Sequence, residues 1–324
     1  MLLTVVVPCF QEEGNVEAAW TALRAATDPL DVDLEVVFVD DGSTDATLLR
    51  LRELAAREPQ VRYLSFSRNF GKESAMLAGL AHARGDVVVI MDGDLQHPPE
   101  LIEQLLAKHA EGYDQVVARR TRSGDRRSRT LTARLYYAVV NRLVDVRLDD
   151  GMGDFRLLSR TATEALLAMR EYNRFSKGLF AWIGYPTAVV DYDNVARGHG
   201  RSTWSFKRLL DYGIDGVLSF NNKPLRLAVY LGLATTLLSL AYVVWIIGGA
   251  ILYGVESPGY VTLITAVLGL GGLQLVFLGV VGEYIGRIYF ETKQRPHYLV
   301  KESGGLPDRE VIAEEVAPAR TVAG

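Results

Sequence analysis

Hydrophobic and polar positions follow two different rhythms along this chain. Up to about residue 120, short β-branched apolar runs at 2–7, 34–39, 61–66, 86–91 and 115–118 alternate with stretches of helical spacing at 16–26, 46–57, 74–84 and 99–112. Continuous apolar strands separated by helices predict an α/β fold with a parallel sheet covered on both faces. Right-handed crossovers place the strand C-termini on one edge, where such sheets bind ligands. The polar clusters Gln11-Glu12-Glu13, Asp40-Asp41-Gly42, Arg68-Asn69 and Asp92-Gly93-Asp94 each follow one of these strands, so they are expected to converge on one cleft.

The second rhythm begins further on. Residues 130–146 predict an amphipathic helix, with Leu131, Leu135, Val139 and Leu143 about a turn apart. Residues 204–220 predict another, with Trp204, Phe206, Leu209 and Leu210 apolar and Lys207 and Arg208 charged. It stands just before a long apolar run, as an interfacial helix would. The runs at 227–252 and 260–282 are each long enough to cross roughly 30 Å of hydrocarbon. Lys223 and Arg226 flank the first, Arg287, Lys293 and Arg295 follow the second, and the connection carries Glu256 without Lys or Arg. The positive-inside rule then expects a multi-pass protein of the cytoplasmic (inner) membrane with both termini cytoplasmic. Gln274 is the strongly polar side chain within a span, expected to bond across helices. The expected organisation is a globular domain over 1–200, a juxtamembrane amphipathic helix over 201–223, two transmembrane helices over 224–288, and a cytoplasmic, largely disordered tail over 289–324.

Composition changes this picture little. The net charge of −4 argues against nucleic acid as a partner. The single cysteine, Cys9, excludes an intrachain disulfide and is expected to be a small buried residue. Residues 1–7 lack the basic start of a signal peptide and are expected to form a strand.

The clusters carry the chemistry. Asp92 and Asp94 flank a glycine at a strand end, so both carboxylates can turn toward one hard cation, Mg²⁺ or Mn²⁺, that leaves room for phosphates. Gln96 and His97 follow as candidates to complete the shell. In Asp40-Asp41-Gly42-Ser43-Thr44, a carboxylate can bind a ribose or base N–H, while Ser43 or Thr44 can cap the next helix. Glu12 and Glu13 are placed either against a nucleotide or as dipole partners of the first helix. Arg119, Arg120 and Arg122 end the fifth strand. Arg197 and Arg201 flank Gly198-His199-Gly200, a segment able to close over a diphosphate.

Taken together, Val7-Pro8, Glu12-Glu13-Gly14-Asn15, Asp40-Asp41-Gly42-Ser43, the run Ser67-Arg68-Asn69-Phe70-Gly71-Lys72-Glu73 and the run from Met91 through Asp92-Gly93-Asp94 to Pro99 resemble family 2 glycosyltransferases of GT-A fold. The resemblance is strongest to the polyprenyl-phosphate sugar transferases, the dolichol-phosphate mannose synthases and bactoprenol glucosyltransferases. Gly153-Asp154-Phe155-Arg156-Leu157 and the two-span tail point to the bactoprenol type. The chain departs from the family with Phe10-Gln11 where Tyr-Asn is usual and with Thr203 where Lys is frequent. A Gln-x-x-Arg-Trp motif of processive synthases is not found.

The resemblance implies roles. Asp92, Asp94 and Gln96 would hold the metal and diphosphate. Pro8, Glu12, Asp40 and Asp41 would contact the nucleoside, with Lys72, Arg119 and Arg201 on the phosphates. Asp94 and Asp154 would be the catalytic pair, Asp154 as base or as an orienting group. Arg197, Lys207 and Arg208 would meet the lipid phosphate. The implied reaction moves one sugar from a nucleotide-sugar, UDP-glucose first, to an undecaprenyl-type phosphate at the cytoplasmic membrane face, with inversion and a divalent metal. A GDP-mannose-dependent synthase and a non-catalytic nucleotide-sugar-binding membrane protein are the alternatives, and a homo-oligomer is left open. A nucleotide-dependent membrane dehydrogenase is disfavoured, because no Gly-x-Gly-x-x-Gly follows a strand.

Overall fold

The computed structural model describes residues 1–121, 152–192, 223–253 and 259–305. Its elements in chain order are β1 (Leu2–Cys9), α1 (Val16–Thr27), β2 (Asp33–Asp40), α2 (Thr47–Arg57), β3 (Val61–Phe66), α3 (Lys72–His82), β4 (Val87–Ile90), α4 (Leu101–Ala110), β5 (Gln115–Arg120), β6 (Met152–Ser159), α5 (Arg160–Ala168), α6 (Ser176–Trp182), β7 (Thr187–Tyr192), α7 (Lys223–Tyr253), α8 (Tyr260–Lys293) and β8 (Val300–Gly304). They fall into two compact units: a sheet unit that includes 296–305, and a unit that holds α7 and α8.

The eight strands run in the order β7-β5-β6-β4-β1-β2-β3-β8. The expected parallel core is β4-β1-β2-β3, with β1 paired to β2 and β4 and β2 paired to β3. These strands are largely apolar because both faces are covered, with Thr4, Glu35, Arg62 and Ser65 as buried polar residues among them. Leu3, Val5, Val7, Val36, Phe38 and Val89 belong to the larger core cluster, with Trp20 and Leu23 of α1 and Leu51 and Leu54 of α2. Val37, Val39, Leu64 and Phe66 pack with Ala75 and Ala78 of α3 in a second cluster. Gly79 lets α3 approach β1 closely, since a Cβ there would sit 2.1 Å from a Val6 methyl.

The sheet differs from the expected one at both sides. Strand β6 enters antiparallel between β4 and β5, and β5 takes β7 as a parallel neighbour. The chain therefore forms a mixed, mostly parallel sheet. At the other side, β8 pairs antiparallel with β3. The expectation of a largely disordered tail is thus corrected for residues 296–305. Glu302 accepts bonds from Arg52 Nε at 2.6 Å and the Tyr63 hydroxyl at 2.7 Å, and Tyr298 stacks on Phe66. Residues 306–324 lie outside the described ones, as do the helices expected over 130–146 and 204–220.

In the second unit, α7 and α8 are longer than the apolar runs expected at 227–252 and 260–282. The second continues past residue 282 and ends at Gln294, whose φ of 46° is left-handed. Ala228–Tyr253 and Gly269–Lys293 are long and apolar enough to cross a membrane, by length and composition. Gln274 lies on an exposed face of α8.

Candidate active site

Four loops leave the C-terminal ends of parallel strands on one edge: 10–15 after β1, 41–46 after β2, 67–71 after β3 and 91–100 after β4. Because β6 is antiparallel to β4, its N-terminal end meets that same edge. Their last register pair is Ile90 with Arg156. Two steps further, Asp92 and Asp154 stand opposite one another. Like charges so placed repel, and the fold answers with Lys72, the first residue of α3. Its ammonium lies 2.6 Å from Asp92 Oδ1 and 2.6 Å from Asp154 Oδ2. Burial by itself would lower the Lys72 pKa and raise those of the carboxylates. The nearby His97 imidazole and the lysine charge overcome burial at Asp92 and hold it well below the usual carboxylate range. At Asp154 the lysine likewise overcomes burial, and the two carboxylates in turn raise Lys72.

A ring cluster backs Asp92. His97 Nε2 is 3.6 Å from Asp92 Oδ2, and its Nδ1 shares a 2.6 Å hydrogen bond with the Tyr192 hydroxyl at the end of β7. The imidazole stacks on Phe155 at 5.2 Å. Its described contacts are thus with Asp92, Tyr192 and Phe155. Asp94 Oδ1 accepts the Gln96 N–H at 3.1 Å, and its other oxygen takes the Gln96 side-chain amide. That turn places Leu95 at φ 55°. A non-glycine residue in the left-handed region is sparse away from functional loops. Gln11, in the β1 loop, is the second such residue here, at φ 59°. Glu12 is half-buried, and burial followed by the charges of Asp94, Asp45 and Asp92 raises its pKa against a lowering hydrogen bond from Asn15. Cys9 lies beneath, buried as expected, its thiol pushed up by burial and by Glu12, Asp40 and Asp92.

The second acidic pair, expected at the nucleoside, is hydrogen-bonded within the chain. Asp40 Oδ1 accepts the Ser43 N–H at 2.9 Å and Oδ2 the Ser65 hydroxyl at 2.7 Å. Asp41 accepts the N–H groups of Phe70 at 2.6 Å and Gly71 at 2.9 Å. Both are buried, and they knit the loops after β2 and β3 together. Gly42, at φ 68°, makes this possible, since a Cβ would strike the Arg68 carbonyl carbon at 2.4 Å. The expected capping of α2 by Ser43 or Thr44 is corrected: both hydroxyls accept from Gln11, while Asp45 Oδ1 accepts the Thr47 N–H at 3.0 Å and Glu13 accepts that of Ala46 at 2.9 Å. Glu13 is thus a partner of α2, not of α1.

Arg119, next to last in β5, places its guanidinium on Asp191 of β7, at 2.6 and 2.9 Å. The expected phosphate role has to compete with that partner. Pro8 closes the β1 run beside the loops. Arg197, Arg201, Lys207 and Arg208 lie outside the described residues. Sequence reasoning passed over Tyr192, Arg156 and Glu73. Tyr192 ends the β-branched run Thr187–Tyr192, and reading that run as a strand would have brought it to this edge. Arg156 is buried, bonds the Gly153 carbonyl at 2.8 Å and lies 3.6 Å over Phe180; burial lowers its pKa to about 10. Glu73 receives the Ser176 N–H at 3.2 Å and its hydroxyl.

The bridged pair has a pH signature. In the native chain, depressed Asp92 and Asp154 contribute stability that is full above about pH 4 and lost as pH falls further, whereas raised Lys72 contributes below about pH 10. In Lys72→Met, two opposed carboxylates lose their cation, so their pKa values should rise above the unfolded ones. The folded variant then binds protons more readily, and its stability falls as pH rises. Melting temperatures of both proteins should therefore diverge between about pH 5 and pH 8, the gap widening with pH. A constant gap would show that the lysine does not hold the pair apart.

Residues 4–167 match glycosyl transferase family 2, and residues 223–288 match the GtrB C-terminal hairpin. A putative glycosyltransferase, CsbB, of Bacillus subtilis is 50% identical over 310 residues, 96% of this chain and 94% of the relative. An SfII prophage-derived bactoprenol glucosyl transferase of Shigella flexneri is 41% identical over 304 residues, 94% of this chain and 98% of that one. A prophage bactoprenol glucosyl transferase homolog of Escherichia coli is 40% identical over 302 residues, 93% and 99% respectively.

Proposed function

The chain belongs to glycosyl transferase family 2, and from that premise we propose that this glycosyltransferase moves one sugar from a nucleotide-sugar, UDP-glucose first, to a polyprenyl phosphate, with inversion. The observation that carries the reading is the Lys72-bridged Asp92–Asp154 pair, set at a strand edge beside Asp94, in a chain that also holds the apolar helices α7 and α8. The relatives named as bactoprenol glucosyl transferases extend along nearly the whole chain and so support the same acceptor class.

A divalent cation fits the residues present. Asp92, Asp94 and Gln96 are hard oxygen donors, and Asp92 stays ionised through the neutral range. Among the described residues no three His, Cys, Asp or Glu gather into a cage, which suits an ion that keeps waters and substrate phosphates as ligands. Bound there, Mg²⁺ or Mn²⁺ would neutralise charge on the departing diphosphate. Lys72 adds a fixed positive charge beside it.

In the proposed displacement an acceptor phosphate oxygen forms the bond to the anomeric carbon. The bond from that carbon to the diphosphate oxygen breaks, and the nucleoside diphosphate leaves with the electron pair. A phosphomonoester has a second pKa near about 6, so its oxygen is ionised at neutral pH and needs little proton removal. Asp154, held below the usual carboxylate range by Lys72, is a poor proton acceptor. Its role in this reading is to orient Lys72 and the acceptor.

The test incubates membranes containing the chain with each labelled nucleotide-sugar and extracts the lipid. Label is expected in polyprenyl phosphate from UDP-glucose, about tenfold or more above GDP-mannose or UDP-N-acetylglucosamine. Preferential label from GDP-mannose would replace the sugar assignment. Release of free sugar with no labelled lipid would overturn the acceptor.

A further inference from the structure

We propose that Tyr298 is a positioning residue for the nucleotide-sugar site, acting through Phe66 and Phe70 on the segment that carries Lys72. The inference rests on the reading above for what that segment serves. Tyr298 follows α8 and precedes β8, far in sequence from every residue of the site. Its ring lies against Phe66, the last residue of β3, with centroids 5.0 Å apart and planes at 14°. Phe66 meets Phe70 edge-on at 5.8 Å and 90°, and the Arg68 guanidinium lies 4.0 Å over Phe70. The three aromatic rings thus form one continuous run of ring contacts, stacked then edge-on, from the C-terminal segment to the loop after β3.

The backbone between these rings is fastened at both ends. The Ser67 N–H donates to the Leu299 carbonyl at 2.9 Å, and the Phe70 and Gly71 N–H groups donate to Asp41. The next residue is Lys72, which opens α3. Gly71 stands at φ 97° and sets the direction in which the chain enters that helix. The ammonium reaches Asp92 and Asp154 from there, so a shift of the loop moves the bridging charge. Tyr298, Val300 and Phe70 also pack on the cluster that contains Ala75 and Ala78 of α3.

The same C-terminal segment does something separate on the other sheet face. Glu302 bonds Arg52 of α2 and Tyr63, whose ring belongs to the opposite core cluster. A strand that merely staples the sheet would act equally through both faces. A positioning role belongs to the Tyr298 face alone.

The experiment uses the full chain in detergent, with Tyr298→Ala, Tyr298→Phe and Glu302→Ala. Amide hydrogen exchange at Phe70 and Gly71 is expected to rise about tenfold in Tyr298→Ala and to stay at the native rate in the other two. The apparent KM for UDP-glucose with Mg²⁺ is expected to rise about fivefold or more in Tyr298→Ala, with kcat within about twofold, and Tyr298→Phe should restore it. Native exchange in Tyr298→Ala, or equal acceleration in Glu302→Ala, overturns the coupling. Accelerated exchange with an unmoved KM overturns the positioning role. Absence of turnover by the native chain with any nucleotide-sugar would instead sink the functional reading, and the exchange rates would still judge the coupling. Should Tyr298→Ala fail to fold, Tyr298→Leu, which keeps apolar volume without a flat face, is measured in its place.

Discussion

Asp94→Asn is expected to lower turnover by about 10²–10³-fold while the sheet stays folded. Asp94 sits in the turn after β4, with its oxygens on the Gln96 backbone and side-chain amides. An asparagine has the same shape and retains one carbonyl acceptor, so the turn can close. What disappears is a negative charge available to a hard cation. EDTA should reproduce the loss in the unmutated protein, and added Mg²⁺ or Mn²⁺ should reverse it. The checks are initial rates together with the melting temperature of the variant. Full turnover in EDTA without added cation would remove the metal from the mechanism.

Glu35→Ala is expected to cost about 3–5 kcal/mol of stability, because it strips the partner from a buried cation. Glu35 lies in β2, toward the strand ends opposite the candidate site. Its carboxylate accepts the Thr4 hydroxyl at 2.6 Å, the Arg62 guanidinium at 2.5 Å and the Arg84 N–H at 3.1 Å. The side chains are 4% exposed at Arg62 and 9% at Glu35, so water cannot take over the charge. For a unit of this size the loss corresponds to a melting temperature lower by about 6–20 °C. Glu35→Ala combined with Arg62→Met should recover part of it, since an apolar replacement of both partners removes the stranded charge. A double variant no more stable than Glu35→Ala alone would show that Arg62 is adequately held by the His82 carbonyl, which it bonds at 3.0 Å.

The parallel half of the sheet was legible because β1, β2 and β3 are largely apolar and end in polar clusters, and Thr4, Glu35, Arg62 and Ser65 are too few to break the runs. Strands β6, β7 and β8 escaped for specific reasons. In β6, Asp154 and Arg156 interrupt Phe155 and Leu157, so the run reads as a motif before it reads as a strand. Strand β7 is half-exposed, and β8 pairs with a strand from which two long apolar helices separate it in the sequence. The site divides similarly. Asp92 and Asp94 could be recognised from their spacing after a strand. The Lys72 bridge could not, since it requires β6 to lie beside β4 and bring Asp154 opposite Asp92. His97 resting on Tyr192 needs β7 on the same edge, a fact of sheet order. Asp40 and Asp41 add what spacing after a strand does not show: their carboxylates hold the loops after β2 and β3 together.

The pairing of β3 with β8 also orders events during synthesis. Strand β3 is complete at Phe66, yet the strand that covers its edge begins at Val300. Until α7 and α8 have been made, that edge presents unpaired N–H and C=O groups to whatever strand is near. The sheet therefore cannot finish folding as the N-terminal domain leaves the ribosome. It waits, with the β3 edge open, for residues 300–304, and a nascent protein stalled between the two apolar helices is left prone to pair with its neighbours.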